Sequence, residues 1–169
     1  MARVNQKITD ESGIPESGDA CVVIVKTEWN EDIVNKLESG CRKTLLKHKL
    51  KDIRVITVPG AFEIPFAIRN YWDAHKYKDD RPNAFIALGC VIRGGTPHFE
   101  YVCRAVTDGV VQLNLHLPVP TIFGVLTTDN EAQAKERIGG KHGHKGKEAA
   151  LTALKMISLV KSFRDTPQD

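Results

Sequence analysis

The stretch Ala84–Arg104, AFIALGCVIRGGTPHFEYVCR, changes character half-way along. Ala84 to Leu88 is a short continuous apolar run, which suits a strand buried on both faces. Gly94, Gly95, Thr96 and Pro97 then mark a tight loop entering a helix, because glycine tolerates unusual backbone angles and proline suits the first helical position. The free N–H groups of such a helix start, with the helix dipole, make a place for phosphate or another anion. Pro97 gives up a donor there, while Gly95 and Thr96 keep theirs and Thr96 adds a hydroxyl. His98 comes next, an imidazole that titrates near neutrality, so the unit suits chemistry on a small phosphorylated molecule. A short glycine loop can equally do no more than turn the chain.

The same alternation extends outward in both directions. Cys21–Val25, Arg54–Val58, Ala84–Leu88 and Thr121–Leu126 read as four apolar strands. Helices are expected at 31–49, 62–75, 97–117, 130–138 and 145–163, from apolar residues at helical spacing such as Val34, Leu37, Cys41 and Leu45 in the first. Asn30 is expected to cap the first helix, and Thr127, Thr128 and Asp129 offer caps for the fourth. GGKHGHKG, 139–146, reads as a glycine-rich loop. Strands alternating with amphipathic helices predict an α/β fold: a flavodoxin-like three-layer α/β/α sandwich around a four-stranded parallel sheet. The expected divisions are a polar N-terminal arm at 1–19, one domain at 20–165 and a short tail at 166–169.

With 169 residues the chain suits one substantial core, and 41% hydrophobic with 27% charged residues is the composition of a soluble globular protein. A net charge of +3, with lysines spread among acidic residues, gives no concentrated basic face for nucleic acid. No apolar run is long enough to span a bilayer and the N-terminus does not read as a signal, so a cytoplasmic protein with no membrane partner is expected. Cys21, Cys41, Cys90 and Cys103 lack paired metal-type spacing and read as buried reduced thiols, and His142 and His144 lack nearby ligands to complete a zinc site.

In parallel sheets ligands bind beyond the carboxyl ends of the strands, where the unusual residues of this chain converge. Trp29 could stack on a planar ring or simply rim the core. Glu63 could accept hydrogen bonds from ligand hydroxyls or merely complement a helix dipole. His98 reads as a proton shuttle or as a surface histidine, and Arg137 as a fork for phosphate or a helix-terminal charge. No lysine follows the glycines as in a nucleotide P-loop, and no Gly-x-Gly-x-x-Gly follows the first strand. Arg93 stands too close to Cys90 for an arginine-closed phosphatase loop, so ATP, NAD and phosphocysteine chemistry lose support.

VPGAFEIPFAI (58–68), ALGCVIRGGTPHFEYVC (87–103) and FGVLTTDNEAQAKERIGGKHGHKGKEAA (123–150) resemble the 6,7-dimethyl-8-ribityllumazine synthase family, in order and from about Cys21 to the last helix. The resemblance implies condensation of 5-amino-6-(D-ribitylamino)uracil with 3,4-dihydroxy-2-butanone 4-phosphate, a late step of riboflavin biosynthesis, with no metal or redox cofactor. It implies that Trp29, Asn30, Ala61, Phe62, Glu63, Cys90, Val91 and Ile92 surround the aminouracil and its ribityl chain. Gly95, Thr96 and Arg137 would bind phosphate, and His98 would be the catalytic proton carrier. Phe123 and Lys145 match positions that the family supplies from a neighbouring subunit.

The resemblance therefore implies a homo-oligomer built from pentamers, with riboflavin synthase as a candidate partner. The short loop Gly139–Gly146 resembles that of members forming icosahedral shells, whereas Pro15 argues against an added strand between pentamers; the balance leans to a shell. His144 stands where asparagine is frequent, Trp29 where phenylalanine is common and Gly95 where alanine often occurs. A lumazine or flavin carrier without catalysis, or a shell that packages another protein, are the alternatives.

Overall fold

A computed structural model describes residues 10–14 and 18–165. Most of the expected arm, Pro15 with it, and the tail at 166–169 lie outside the described residues. The four apolar runs form strands β1 (Cys21–Thr27), β2 (Asp52–Val58), β3 (Ala84–Ile92) and β4 (Thr121–Thr128), hydrogen-bonded in the order β2-β1-β3-β4. Every pairing is parallel. The two central strands are the most deeply buried, as a sheet covered on both faces requires.

Helices α1 (Glu31–Lys47), α2 (Ile64–His75), α3 (His98–His116), α4 (Glu131–Lys135) and α5 (Lys145–Asp165) complete the main alternation. One core layer joins Leu37, Cys41 and Leu45 of α1 and Ala150 and Leu154 of α5 to Val22, Ile24, Ile86 and Leu88 of the sheet. The other joins Ile64 and Ile68 of α2 and Val106 and Leu113 of α3 to Val23, Val25 and Phe85. Alternate residues of β1 and β3 thus feed opposite layers, and the chain is the three-layer, flavodoxin-like sandwich expected. Against α1, α5 lies so close that a Cβ on Gly146 would stand 2.0 Å from the Leu37 carbonyl oxygen.

Several local expectations are corrected. β3 runs four residues past Leu88, so Cys90, Val91 and Ile92 are strand rather than loop. The helix expected at 130–138 is the short α4, and the glycine loop after it is a hairpin of β5 (Ile138–Gly140) and β6 (Gly143–His144). Asn130, not its predecessors, caps α4, accepting from the Gln133 N–H at 2.9 Å. Asn30 precedes α1 but makes no side-chain cap; its backbone is left-handed, at φ 58. Of the segment expected as an arm, residues 10–14 lie on the body: Ile14 packs on the core and Glu11 pairs with Lys47 and Lys147.

Among the described residues no helix is long and apolar enough to cross a membrane. All four cysteines are free thiols. Burial pushes Cys21 and Cys41 up to about 12, well outside the range in which a thiol is reactive at neutral pH.

Candidate active site

The loops beyond β1, β2 and β3 enclose a cleft of about 450 Å³. Its walls include Trp29, Asn30, Ala61, Phe62, Glu63, Cys90, Val91, Ile92 and His98, nine of the residues singled out in the sequence. Thr27, Gly60 and Val102 line it as well.

The loops are tied together by their backbones. Glu28 N–H donates to the Val58 carbonyl at 2.9 Å and Trp29 N–H to the Pro59 carbonyl at 3.3 Å, so the loop after β1 rides on the loop after β2. A one-turn 3-10 helix, Ala61–Glu63, follows Gly60 and leads into α2. The absence of a side chain at Gly60 lets the cleft's two contrasting groups approach, since a Cβ there would stand 3.1 Å from a Glu63 carboxylate oxygen and 3.5 Å from the Trp29 ring. Trp29 is 73% exposed, an apolar ring held open to solvent beside a carboxylate. That pairing suits a ligand with a planar ring and a hydroxylated chain.

Asn30 forms the bridge to the third strand: its side-chain amide donates to the Cys90 carbonyl at 2.8 Å. The Cys90 thiol is buried, and burial pushes it up to about 11. It offers shape rather than nucleophilic chemistry.

Gly94, Gly95, Thr96 and Pro97 link β3 to α3 and are all exposed, with His98 as the first residue of α3. Neither Gly94 nor Gly95 has a left-handed backbone, and a Cβ on either would meet open space. The glycines are therefore not required by the turn; what they leave is uncovered backbone, open to an anion. Arg93, which the sequence reading did not place in the site, braces this loop. Its backbone N–H donates to the Thr128 carbonyl at 2.9 Å and its guanidinium pairs with Asp129 at 3.0 Å and with Glu100, lying 4.2 Å from the Phe99 ring centre. Glu100 is thereby engaged by Arg93 rather than by His98. A charged residue wedged between a strand and a glycine pair was the available signal.

Phe123, Arg137 and Lys145 are elsewhere. They line a second cavity, of about 560 Å³, that runs along edge strand β4 and α5 and shares no residue with the cleft. Phe123 is 42% exposed on that edge. Arg137 lies beyond α4, its guanidinium donating to the Gln133 carbonyl at 2.7 Å, and its own carbonyl accepts from the Lys145 N–H at 2.8 Å. The Lys145 ammonium is 2.7 Å from Glu148 Oε2. Glu148, a second residue not foreseen, keeps its buried Oε1 without a hydrogen-bond partner among the described residues.

A family model described as 6,7-dimethyl-8-ribityllumazine synthase matches residues 19–161. The chain belongs to this family. A relative of that name from Parabacteroides distasonis is 42% identical over 163 residues, covering 94% of this chain and 99% of the relative. One from Porphyromonas gingivalis is 47% identical over 152 residues, covering 89% and 91%. One from Bacteroides fragilis is 48% identical over 142 residues, covering 83% and 96%. The family match spans β1 to α5, so both cavities lie inside it.

Proposed function

We propose that the enzyme's active site is completed between subunits, the cleft of one closing against the β4-edge cavity of the next. Family membership gives the reaction: the chain condenses 5-amino-6-(D-ribitylamino)uracil with 3,4-dihydroxy-2-butanone 4-phosphate to 6,7-dimethyl-8-ribityllumazine, releasing phosphate and water. One observation supports a shared site above the others. Phe123, Arg137 and Lys145 stand together on an open sheet edge, in a cavity separate from the cleft holding Trp29, Glu63 and His98. A heterologous contact that brings one edge onto the next subunit's cleft generates a ring where the rotation between subunits closes. A pentameric ring is the assembly we favour, with pentamers packing further into an icosahedral shell in the cytoplasm, where riboflavin synthase would be a natural partner.

In this arrangement Trp29 stacks on the pyrimidine against the neighbour's Phe123, and Val91 and Ile92 flank the ring. Asn30, Ala61, Phe62 and Glu63 surround the ribityl chain, with the Glu63 carboxylate accepting from its hydroxyls. The N–H groups of Gly95 and Thr96 and the Thr96 hydroxyl hold the phosphate, and Arg137 reaches it from the neighbouring subunit. Arg137 is thus grouped with Phe123 and Lys145 rather than with the loop residues of its own chain. His98 takes a proton as the aryl amine attacks the ketone and returns it as water leaves to form the imine. Elimination of phosphate leaves an enol that tautomerises to a new carbonyl at the neighbouring carbon. The second nitrogen adds to that carbonyl, with loss of a second water, to complete the ring. Much of the acceleration comes from holding two reactive partners together, worth roughly 7–11 kcal/mol in ideal cases.

The test is lumazine formation, followed by its absorbance with each substrate varied. His98→Ala should lower kcat with KM nearly unchanged, and Arg137→Ala should chiefly raise KM for the phosphate substrate. An unchanged kcat in the first would remove His98 from proton transfer, and an unchanged KM in the second would remove Arg137 from the site. A folded protein that binds lumazine tightly and accelerates nothing would be a carrier instead.

A further inference from the structure

His144 immediately precedes Lys145 and ends the β5–β6 hairpin at the start of α5. Its ring is fixed from two directions. Nδ1 accepts from the Lys147 N–H at 3.4 Å, the reach from a capping residue to the third helical position. The ring also fills the space left by Gly40 on α1, where a Cβ would fall 2.1 Å from its Cε1. Gly146, on the other side of Lys145, is pressed equally hard onto α1 at Leu37. Lys145 is thus held between two residues wedged into the same helix, with its N–H on the Arg137 carbonyl and its ammonium on Glu148.

The cap works only in one protonation state. A neutral imidazole can offer Nδ1 as an acceptor; a protonated one carries a hydrogen there and would confront the Lys147 N–H donor to donor. We infer that His144 is a pH-dependent positioning residue, whose neutral ring caps α5 and keeps Lys145 in place in the shared site, and whose protonation releases that first turn. This rests on the reading of Lys145 as a substrate-binding residue.

The surroundings favour the neutral ring. Partial burial lowers the His144 pKa from the ordinary histidine value; a hydrogen bond to its own backbone and, less, Glu148 on α5 oppose this, and Lys43 on α1 adds to the lowering. Lys145 and Lys147 flank it on α5, and the hairpin's other histidine, His142, is paired with Glu136 at 3.3 Å. With the folded value below the free value of about 6.5, the capped form is fully populated above that pH and is lost as pH falls through the lowered value.

The test compares wild type, His144→Asn, His144→Ala and Lys145→Ala in kcat/KM for the aminouracil from about pH 5.5 to 8.5. Taking ratios to wild type cancels every titration that the variants share with it. Asparagine offers an acceptor that does not titrate, so H144N should match wild type above about pH 7 and exceed it at low pH, by about fivefold, the rate equivalent of one lost cap. H144A should fall below wild type by a similar factor at high pH and converge on it at low pH, with the changes in KM rather than kcat. Asparagine and alanine both vacate the space beside Gly40, so equal losses in the two, or an H144N ratio independent of pH, would reduce His144 to a packing role and overturn the inference. An unimpaired K145A would instead overturn the reading of Lys145 beneath it.

Discussion

Replacing Asn30 by alanine should cost about 2–3 kcal/mol, from two separable sources. The first is backbone: Asn30 sits at φ 58, ψ 43, in the left-handed region, which asparagine tolerates and alanine resists by about 1 kcal/mol or somewhat more. The second is a bond. β1 pairs with β3 only as far as Leu88, and two residues further on the Cys90 carbonyl takes its hydrogen bond from the Asn30 amide at 2.8 Å. Losing a half-buried bond of that kind costs about 1–1.5 kcal/mol. Asn30→Gly separates the two, because glycine accepts the backbone but supplies no amide, and should recover the first part only. Urea unfolding read by tryptophan fluorescence is suitable, since Trp72 is buried in the core; protein concentration must be equal throughout, because assembly contributes to apparent stability. Equal losses in N30A and N30G would refute the backbone part, and an N30G as stable as wild type would refute the bond.

Gly146→Ala should destabilise by about 1–3 kcal/mol or more, because its Cβ would meet the Leu37 carbonyl oxygen at 2.0 Å, and backbone there cannot yield without parting α1 from α5; a wild-type Tm would contradict the close approach. Lys147 and Lys47 hold the Glu11 carboxyl down at about 2, against an ordinary 4.5. A lowered folded pKa means stability present above about 4.5 and lost as pH falls toward 2, so the Tm deficit of Glu11→Gln at neutral pH should shrink as pH drops through that range; a deficit constant with pH would refute the pairing. Cys90, pushed up to about 11 by burial, should resist alkylation near pH 8 in the folded enzyme and react readily in urea; rapid modification of the folded protein, located by mass spectrometry, would contradict that.

The fold was legible because four apolar runs alternate with helical periodicity, a pattern only a parallel sheet covered on both faces satisfies. The end of β3 was not: Gly89 and Cys90 interrupt the apolar run, yet Gly89 is strand, and a Cβ on it would lie 3.2 Å from Thr27 Cγ2 on β1. In the strand, glycine marks close packing with a neighbour rather than an end. The β5–β6 hairpin was hidden for a related reason, since its glycines, His144 and lysines read as loop while Gly139 and Gly143 take the positive φ that lets the chain reverse. Cleft residues such as Trp29, Glu63 and His98 could be foreseen, because the carboxyl ends of parallel strands converge. That Arg137 lines the β4-edge cavity with Phe123 and Lys145 rather than the cleft could not, because it depends on the path the chain takes after α4. The roles of Arg93 and Glu148 lie in contacts that spacing alone does not reveal.

A shared active site has one direct test, which is complementation between two defective chains. His98→Ala spoils the cleft and Arg137→Ala spoils the β4-edge cavity, so each alone should be impaired at every interface. Co-assembly of the two in equal amounts should restore intact pairs at about a quarter of the interfaces by random mixing, and lumazine formation should rise accordingly. Mixed oligomers verified by mass spectrometry that remain as inactive as either parent would contradict the shared site and place Arg137 with His98 of its own chain.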